Sequence, residues 1–147
     1  MAAPPALNQV NLVAADVEAT VAFYRRLGLT VRDGPPEWLA HHVTLETASG
    51  EIAFEVDSAA FAKVWNRGFE GSVGHGVAVL GFEVATREEV DRLSDELSRA
   101  GYKLQQPPYD AFWGARYAVL EDPSGHAVGL MSPVDARRRS YEPPPPG

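Results

Sequence analysis

An internal repeat is the strongest constraint in this sequence, because the same order of predicted elements, β-α-β-β-β, occurs twice. The two predicted helices begin at Asp16 and Thr86, about 70 residues apart and thus close to half of the 147 residues. A half of about 60 residues buries too little apolar surface to be stable alone. The sequence therefore predicts an α+β fold of two tandem βαβββ modules, whose mixed sheets form a shared cleft.

The first copy has clear helix boundaries. Asp16 is a residue type that caps helix N-termini, and Gly28 can adopt the left-handed conformation that often follows a helix. Apolar and polar residues alternate in the segments around this helix, as they do in half-buried strands. The predicted strands are residues 10–13, 29–32, 42–47 and 52–56.

The second copy repeats these signals. Thr86 followed three residues later by Glu89 is a capping box, and Gly101 ends the helix. The predicted strands are residues 77–84, 102–105, 116–121 and 127–131, the second of them ended by Pro107 and Pro108.

The repeat also predicts the domain organisation. We expect one domain over residues 7–133, with module one at about 7–57, a linker at 58–76 that contains a short helix, and module two at about 77–133. Residues 134–147 combine a run of arginines with four consecutive prolines, which lack the N–H that helices and sheets require. We therefore expect a flexible tail there.

Composition excludes several classes of function. The chain has no cysteine, which rules out disulfides, thiolate metal sites and cysteine nucleophiles. Twenty acidic against thirteen basic residues give a net charge of −7, which disfavours nucleic acids and anionic membranes as partners. We find neither a signal peptide nor an apolar run near the ~20 residues that span a bilayer. A cytoplasmic protein is expected.

Two motifs resemble those of a known family. The first helix carries Phe23-Tyr24 followed by Leu27-Gly28, and the turn Asp122-Pro-Ser-Gly125 precedes the last strand. Together with the paired modules, they are similar to the vicinal oxygen chelate superfamily, which includes glyoxalase I, bleomycin resistance proteins and extradiol dioxygenases. The resemblance covers nearly the whole predicted domain, and it implies a homodimer.

The resemblance also locates the positions where enzymes of that superfamily usually hold a divalent metal. These positions fall on Gln9, on Ala53 or Glu55 depending on register, on Val79 and on Gly129. Valine and glycine have no side chain that can bind a metal. We therefore expect a member that has lost metal ligands and binds no divalent metal or other cofactor.

Aromatic residues cluster near the predicted cleft and offer flat surfaces for a planar ligand. Arg116 can pair with a carboxylate or stack on a ring, and Glu55 is a candidate general base or a partner for a cationic group. The candidate ligand-binding residues are Trp38, His42, Glu55, Trp65, Tyr109, Phe112, Trp113, Arg116 and Tyr117.

The leading hypothesis is a metal-independent binding protein similar to bleomycin resistance proteins, which sequesters an aromatic, drug-like molecule between the modules without chemical turnover. Antibiotic resistance is the role that this resemblance implies. The alternative is an enzyme of the same superfamily: a lyase, isomerase or dioxygenase. It would use either a noncanonical metal site, built from Gln9, Glu55 and a histidine, or Glu55 as a base without metal.

Overall fold

The chain divides into two compact units, Met1–Gly74 and His75–Gly147, in a computed structural model that describes residues 9–65 and 78–140. Module one lies in the first unit and module two in the second. Each contains one four-stranded mixed sheet and a main helix. The predicted α+β fold of two tandem βαβββ modules is confirmed.

In module one, β1 runs parallel to β4, and the other neighbouring strands are antiparallel, in the order β1-β4-β3-β2. A short 3-10 helix, Pro36–Trp38, lies between β2 and β3. The elements are β1 Gln9–Ala14, α1 Val17–Arg26, β2 Thr30–Val31, β3 His42–Glu46, β4 Ala53–Ser58 and α2 Ala59–Trp65.

Module two repeats this topology in the order β5-β8-β7-β6, again with the first pair parallel. Its elements are β5 Val79–Glu83, α3 Arg87–Arg99, β6 Leu104–Asp110, β7 Arg116–Glu121 and β8 Ala127–Met131, followed by a 3-10 helix at Ala136–Arg138.

The predicted helix ends are confirmed. The Asp16 carboxylate accepts a hydrogen bond from the backbone N–H of Ala19 at 2.9 Å, and the Thr86 hydroxyl accepts one from Glu89 at 3.1 Å. These bonds satisfy N–H groups that have no partner inside the helix. Gly28 and Gly101 adopt positive φ values of 93° and 98°, the conformation that ends a helix at low cost when the residue is glycine.

The core of each module lies between its sheet and its main helix. In module one, the buried rings of Phe23 and Tyr24 pack edge to face, and Tyr24 packs in the same way on Phe54 of β4. In module two, α3 contacts β6, β7 and β8, and the fully buried Leu97 and Leu120 belong to this layer. The main helix thus covers one face of each sheet.

The predicted end of a strand at Pro107 and Pro108 is wrong, because β6 continues through both prolines to Asp110. The pairing with β7 shifts register between Leu104 and Gln106 and again between Gln106 and Tyr109. β6 lies at the edge of its sheet, where a residue without an N–H can face away from the neighbouring strand and remove no ladder hydrogen bond.

Residues 134–140, the first half of the Arg- and Pro-rich segment, contact the loop before β7. The backbone N–H of Asp135 donates to the carbonyl of Gly114 at 3.0 Å, and that of Ser140 donates to Phe112 at 2.8 Å. Residues 141–147 and most of the predicted linker, 66–77, lie outside the described residues. Within the described ranges, no helix has the length and apolar character needed to cross a membrane.

The Thr86 cap leads to a stability prediction. Thr86→Ala removes the hydroxyl that binds the first turn of α3, so the free energy of unfolding should fall by about 1 kcal/mol. Thr86→Ser keeps an oxygen in place and should stay within about 0.5 kcal/mol of the wild type. Urea unfolding followed by circular dichroism checks both values, and equal losses in the two variants would contradict the capping role.

Candidate functional site

Each sheet has a second face that does not pack on its main helix, and strand pairing allows these two faces to be matched residue by residue. Glu55 pairs with both Asn11 and Thr44, and Gly129 occupies the equivalent place in module two. The matched residues in module one are Gln9, Asn11, His42, Thr44, Glu55 and Asp57, which we call the polar face. Those in module two are Val79, Gly81, Tyr117, Val119, Gly129 and Met131. We call these six residues, together with the nearby rings of Tyr109, Phe112 and Trp113, the aromatic face.

A fully buried carboxylate anchors the polar face. Asp57 accepts a hydrogen bond from Asn11 Nδ2 at 2.9 Å, and its other oxygen lies 2.6 Å from His42 Nδ1. Gln9 extends this chain by donating to Asn11 Oδ1 at 2.7 Å. Both oxygens of the buried carboxylate are therefore engaged, as a carboxylate removed from water requires.

A second carboxylate approaches the other side of the same imidazole. His42 Nε2 lies 3.3 Å from Glu55 Oε2, and Thr44 Oγ1 donates to that oxygen at 2.7 Å. Asp57 cannot donate as a carboxylate, so His42 Nδ1 carries a proton and Nε2 faces Glu55. The imidazole is thus held between two carboxylates, with its side chain 34% exposed and that of Glu55 13% exposed.

A cavity of about 260 Å³ gives access to this network. His42 and Thr44 line it together with Trp38 and the loop after β2. The Phe61 ring of α2 lies 5.2 Å from the His42 ring and 5.5 Å from the Trp38 ring, between centroids. This cavity brings Trp38 and His42, two of the candidate ligand-binding residues, to one place.

A larger cavity of about 1130 Å³ lies elsewhere in module one, where α1 faces β2. Val17, Val21, Leu29 and Val43 form part of its wall. It contains none of the predicted site residues, and the chemistry of the polar face lies on the other side of the sheet.

Four rings dominate the aromatic face of module two. The Trp113 ring is at the centre of the group, and its centroid lies 5.2 Å from that of Phe112, 5.5 Å from Tyr117 and 6.4 Å from Tyr109. The contacts are edge to face, and the Trp113 indole N–H donates to the sulfur of Met131 at 3.4 Å. Tyr109 is 37% exposed and Phe112 is 40% exposed, so the cluster presents apolar surface to solvent.

Tyr117 occupies the space beside Gly129. A Cβ atom on Gly129 would lie 2.8 Å from the Tyr117 hydroxyl oxygen and 3.0 Å from its ring carbon Cε2, too close for an ordinary contact. Burial raises the pKa of the Tyr117 phenol above its usual value, and nearby Tyr109 raises it further. The phenol therefore stays neutral and protonated at neutral pH.

The sequence profile of the Glyoxalase/Bleomycin resistance protein/Dioxygenase superfamily matches residues 6–130, most of the chain. The protein belongs to this superfamily. A search of curated proteins finds no match.

Solved structures of the superfamily share the fold. A family enzyme from Burkholderia phytofirmans PsJN is 25% identical, with a TM-score of 0.73, covering 86% of this chain and 97% of that one. A glyoxalase-related enzyme from Fulvimarina pelagi is 19% identical, with a TM-score of 0.75 and coverages of 87% and 88%. A lactoylglutathione lyase from Agrobacterium tumefaciens is 21% identical, with a TM-score of 0.66 and coverages of 88% and 94%.

The residues at the superfamily's metal positions do not fit a four-ligand divalent site. Glu55 offers a carboxylate, but Val79 has no donor atom and Tyr117 fills the space next to Gly129. Gln9 pairs across the strands with Ala53, and its amide binds Asn11. In residues 9–65 and 78–140, no three His, Asp or Glu side chains are placed to hold a metal ion.

The structure does not bring all predicted site residues together. Arg116 lies on the helix-covered side of β7, where it binds Asp91 at 2.9 Å and Asp110 at 3.3 Å. Burial would lower the pKa of Arg116, but these hydrogen bonds outweigh it and raise the pKa. Arg116 is therefore occupied away from the rings, and the side chain of Trp65 lies outside the described residues.

Sequence reasoning missed Asp57 and Asn11 as site residues. Asp57 follows Glu55 at a spacing of two, which in a strand places both carboxylates on one face. Phe54 and Val56 alternate with them and are buried on the opposite face. This alternation was the available signal, but the predicted strand ended at residue 56 and left Asp57 out.

The close contact at Gly129 leads to a second prediction, with Gly81 on the neighbouring strand as a matched control. Gly129→Ala forces its Cβ against Tyr117 and should lower the free energy of unfolding by about 1–3 kcal/mol. In Gly81→Ala the added Cβ meets no heavy atom of the described residues within 4 Å, apart from its neighbours in the chain. Stability should therefore be unchanged or rise by up to ~1 kcal/mol.

Urea unfolding of Gly129→Ala, Gly81→Ala, Tyr117→Ala and the double variant Gly129→Ala/Tyr117→Ala checks this interpretation. The double variant should show less destabilisation than the sum of its single changes, because the clash is absent. Additive losses would mean that Tyr117 does not fill the space at residue 129.

Proposed function

We propose that this protein is a metal-independent small-molecule-binding protein that holds a flat aromatic ligand on the aromatic face of module two. The observation that carries the proposal is the exposed cluster of edge-to-face rings around Trp113. Exposed apolar clusters of this kind mark interaction sites, because leaving them in water costs free energy.

The backbone beside the rings suits a flat ligand. Gly81 of β5 pairs with Gly129 of β8 and carries no side chain, and the ring of Tyr117 fills the space over Gly129. Apart from the neighbours of Gly81 in the chain, no described residue has a heavy atom within 4 Å of the position that a Cβ on Gly81 would take. A planar molecule can approach the sheet over Gly81, and the rings around Trp113 offer further aromatic contacts, each contributing roughly 0.5–1.5 kcal/mol.

Charge favours a cationic form of that ligand. Glu83 lies two residues after Gly81 and pairs with Met131, in the row of the sheet that also contains Tyr117. The flat side of an aromatic ring attracts cations, and the net charge of −7 on the chain adds to this preference. We therefore propose sequestration of a drug-like aromatic cation, with resistance to that compound as the biological role.

Binding of 9-aminoacridine, a planar fluorescent cation, tests this proposal. Trp113→Ala should raise Kd by up to about tenfold, because a ring contact of up to about 1.4 kcal/mol is lost. Trp38→Ala removes a tryptophan from module one and should leave Kd unchanged. Anthracene-9-carboxylate, an anion of similar shape, should bind more weakly than the cation.

Two controls make the result interpretable. Thermal unfolding must show that Trp113→Ala stays folded, and Tyr109→Ala provides a second, more exposed change in the same cluster. Equal affinity in wild type, Trp113→Ala and Tyr109→Ala would overturn the proposal, as would a larger loss in Trp38→Ala.

A further inference from the structure

We infer that the polar face of module one is a metal-free acid–base site in which His42 transfers a proton, Asp57 positions the imidazole and Glu55 exchanges the proton with it. This activity goes beyond ligand binding on module two and does not depend on it. Its substrate would be a small molecule with an acidic C–H bond that enters the cavity beside His42 and Thr44.

The fold itself does not require these polar residues. At the matched positions of module two, Tyr117 replaces His42, Met131 replaces Asp57 and Gly129 replaces Glu55, on the same strand pairing. Burying a carboxylate costs free energy that well-packed apolar residues avoid. Because module two forms the same sheet without this cost, the network of module one is best explained by a function.

The hydrogen bonds set the proton positions that acid–base transfer needs. Asp57 accepts from His42 Nδ1, which leaves Nε2 as the nitrogen that can take up or release a proton. Nε2 lies 3.3 Å from Glu55 Oε2, so a proton on either atom can pass to the other. Thr44 fixes the Glu55 oxygen by donating to it at 2.7 Å.

A substrate can reach the imidazole through the cavity. The His42 side chain is 34% exposed and lines the 260 Å³ cavity, whereas Asp57 is fully buried behind it. The imidazole therefore borders the cavity next to Glu55, and the positioning carboxylate is shielded from water. The neighbouring charges at the cavity are Arg32, which is paired with Glu46, and Asp33.

The elimination of 5-nitrobenzisoxazole by the 147-residue chain tests the inference, because this reaction needs only a base. His42 Nε2 takes the proton from the C–H carbon, the electron pair of that bond forms the nitrile, and the N–O bond breaks to give a coloured cyanonitrophenolate. No oxidant or metal is consumed. His42→Gln should lower kcat/KM about 100-fold, the typical contribution of a positioned base.

A second histidine provides a matched control. His126 Nδ1 lies 2.7 Å from Asp122, so His126→Gln removes another aspartate-paired imidazole, on the turn before β8. It should leave the elimination rate unchanged. Equal rates in wild type and His42→Gln, or equal losses in the two variants, would overturn the inference.

The positioning role of Asp57 is tested by measuring a property that a purely structural role would not alter. Asp57→Asn should lower kcat while KM stays unchanged, and nitrogen NMR should show the His42 proton moving from Nδ1 to Nε2. An unchanged tautomer with unchanged kcat would exclude Asp57 as a positioning residue.

Glu55→Gln leaves the buried pair of His42 and Asp57 intact, and it tests proton exchange if Asp57→Asn does not fold. An unchanged kcat in Glu55→Gln would exclude that exchange. Binding of 9-aminoacridine should be unaffected by His42→Gln, so the two proposals can fail separately.

Discussion

Each sheet of this protein has its main helix on one face, and this one-sided burial organises the rest of the molecule. Side chains in a strand point alternately to the two faces, so burial under the helix takes every second residue. Phe54 and Val56 are buried in this way, while Glu55 between them belongs to the polar face. The apolar half of each strand specifies the register, and the other half is available for function.

The two modules use that available half differently. On the same pairing geometry, module one holds an imidazole between two carboxylates, and module two packs rings around Trp113. A shared fold therefore carries two kinds of chemistry in one chain. The proposed ligand site and the proposed acid–base site follow from side chains, since the two sheets share their strand order and the pairing of the first three strands in that order.

Membership of the glyoxalase, bleomycin resistance and dioxygenase superfamily accounts for the fold. Two of the four positions at which its enzymes usually hold a metal are Val79 and Gly129, whose side chains offer no donor atom. Gly129 and Tyr117 are coupled in space, since the glycine makes room for the phenol. A carboxylate at residue 129 and a tyrosine at residue 117 would compete for the same volume. The missing side chain at residue 129 and the position of the Tyr117 ring are thus linked.

The positions of the helices and most strands were predictable from sequence because they depend on local signals. Capping residues such as Asp16 and Thr86 bind N–H groups in the first turn of the helix that follows them. Alternation of apolar and polar residues indicates a strand that is buried on one side. The continuation of β6 through Pro107 was not predictable, because whether a proline is tolerated depends on lying at a sheet edge.

Most contacts within the site could not be predicted from the sequence, because they too depend on tertiary structure. The sequence by itself determined which side chains could do chemistry, namely His42, Glu55 and the aromatic residues. Only the tertiary structure decided their partners: the β3–β4 register places Asp57 opposite His42, fifteen residues earlier in the chain, and strand alternation turns Arg116 away from the rings next to it in sequence. Local patterns encode which face a residue occupies, whereas contacts between strands depend on how distant segments pair.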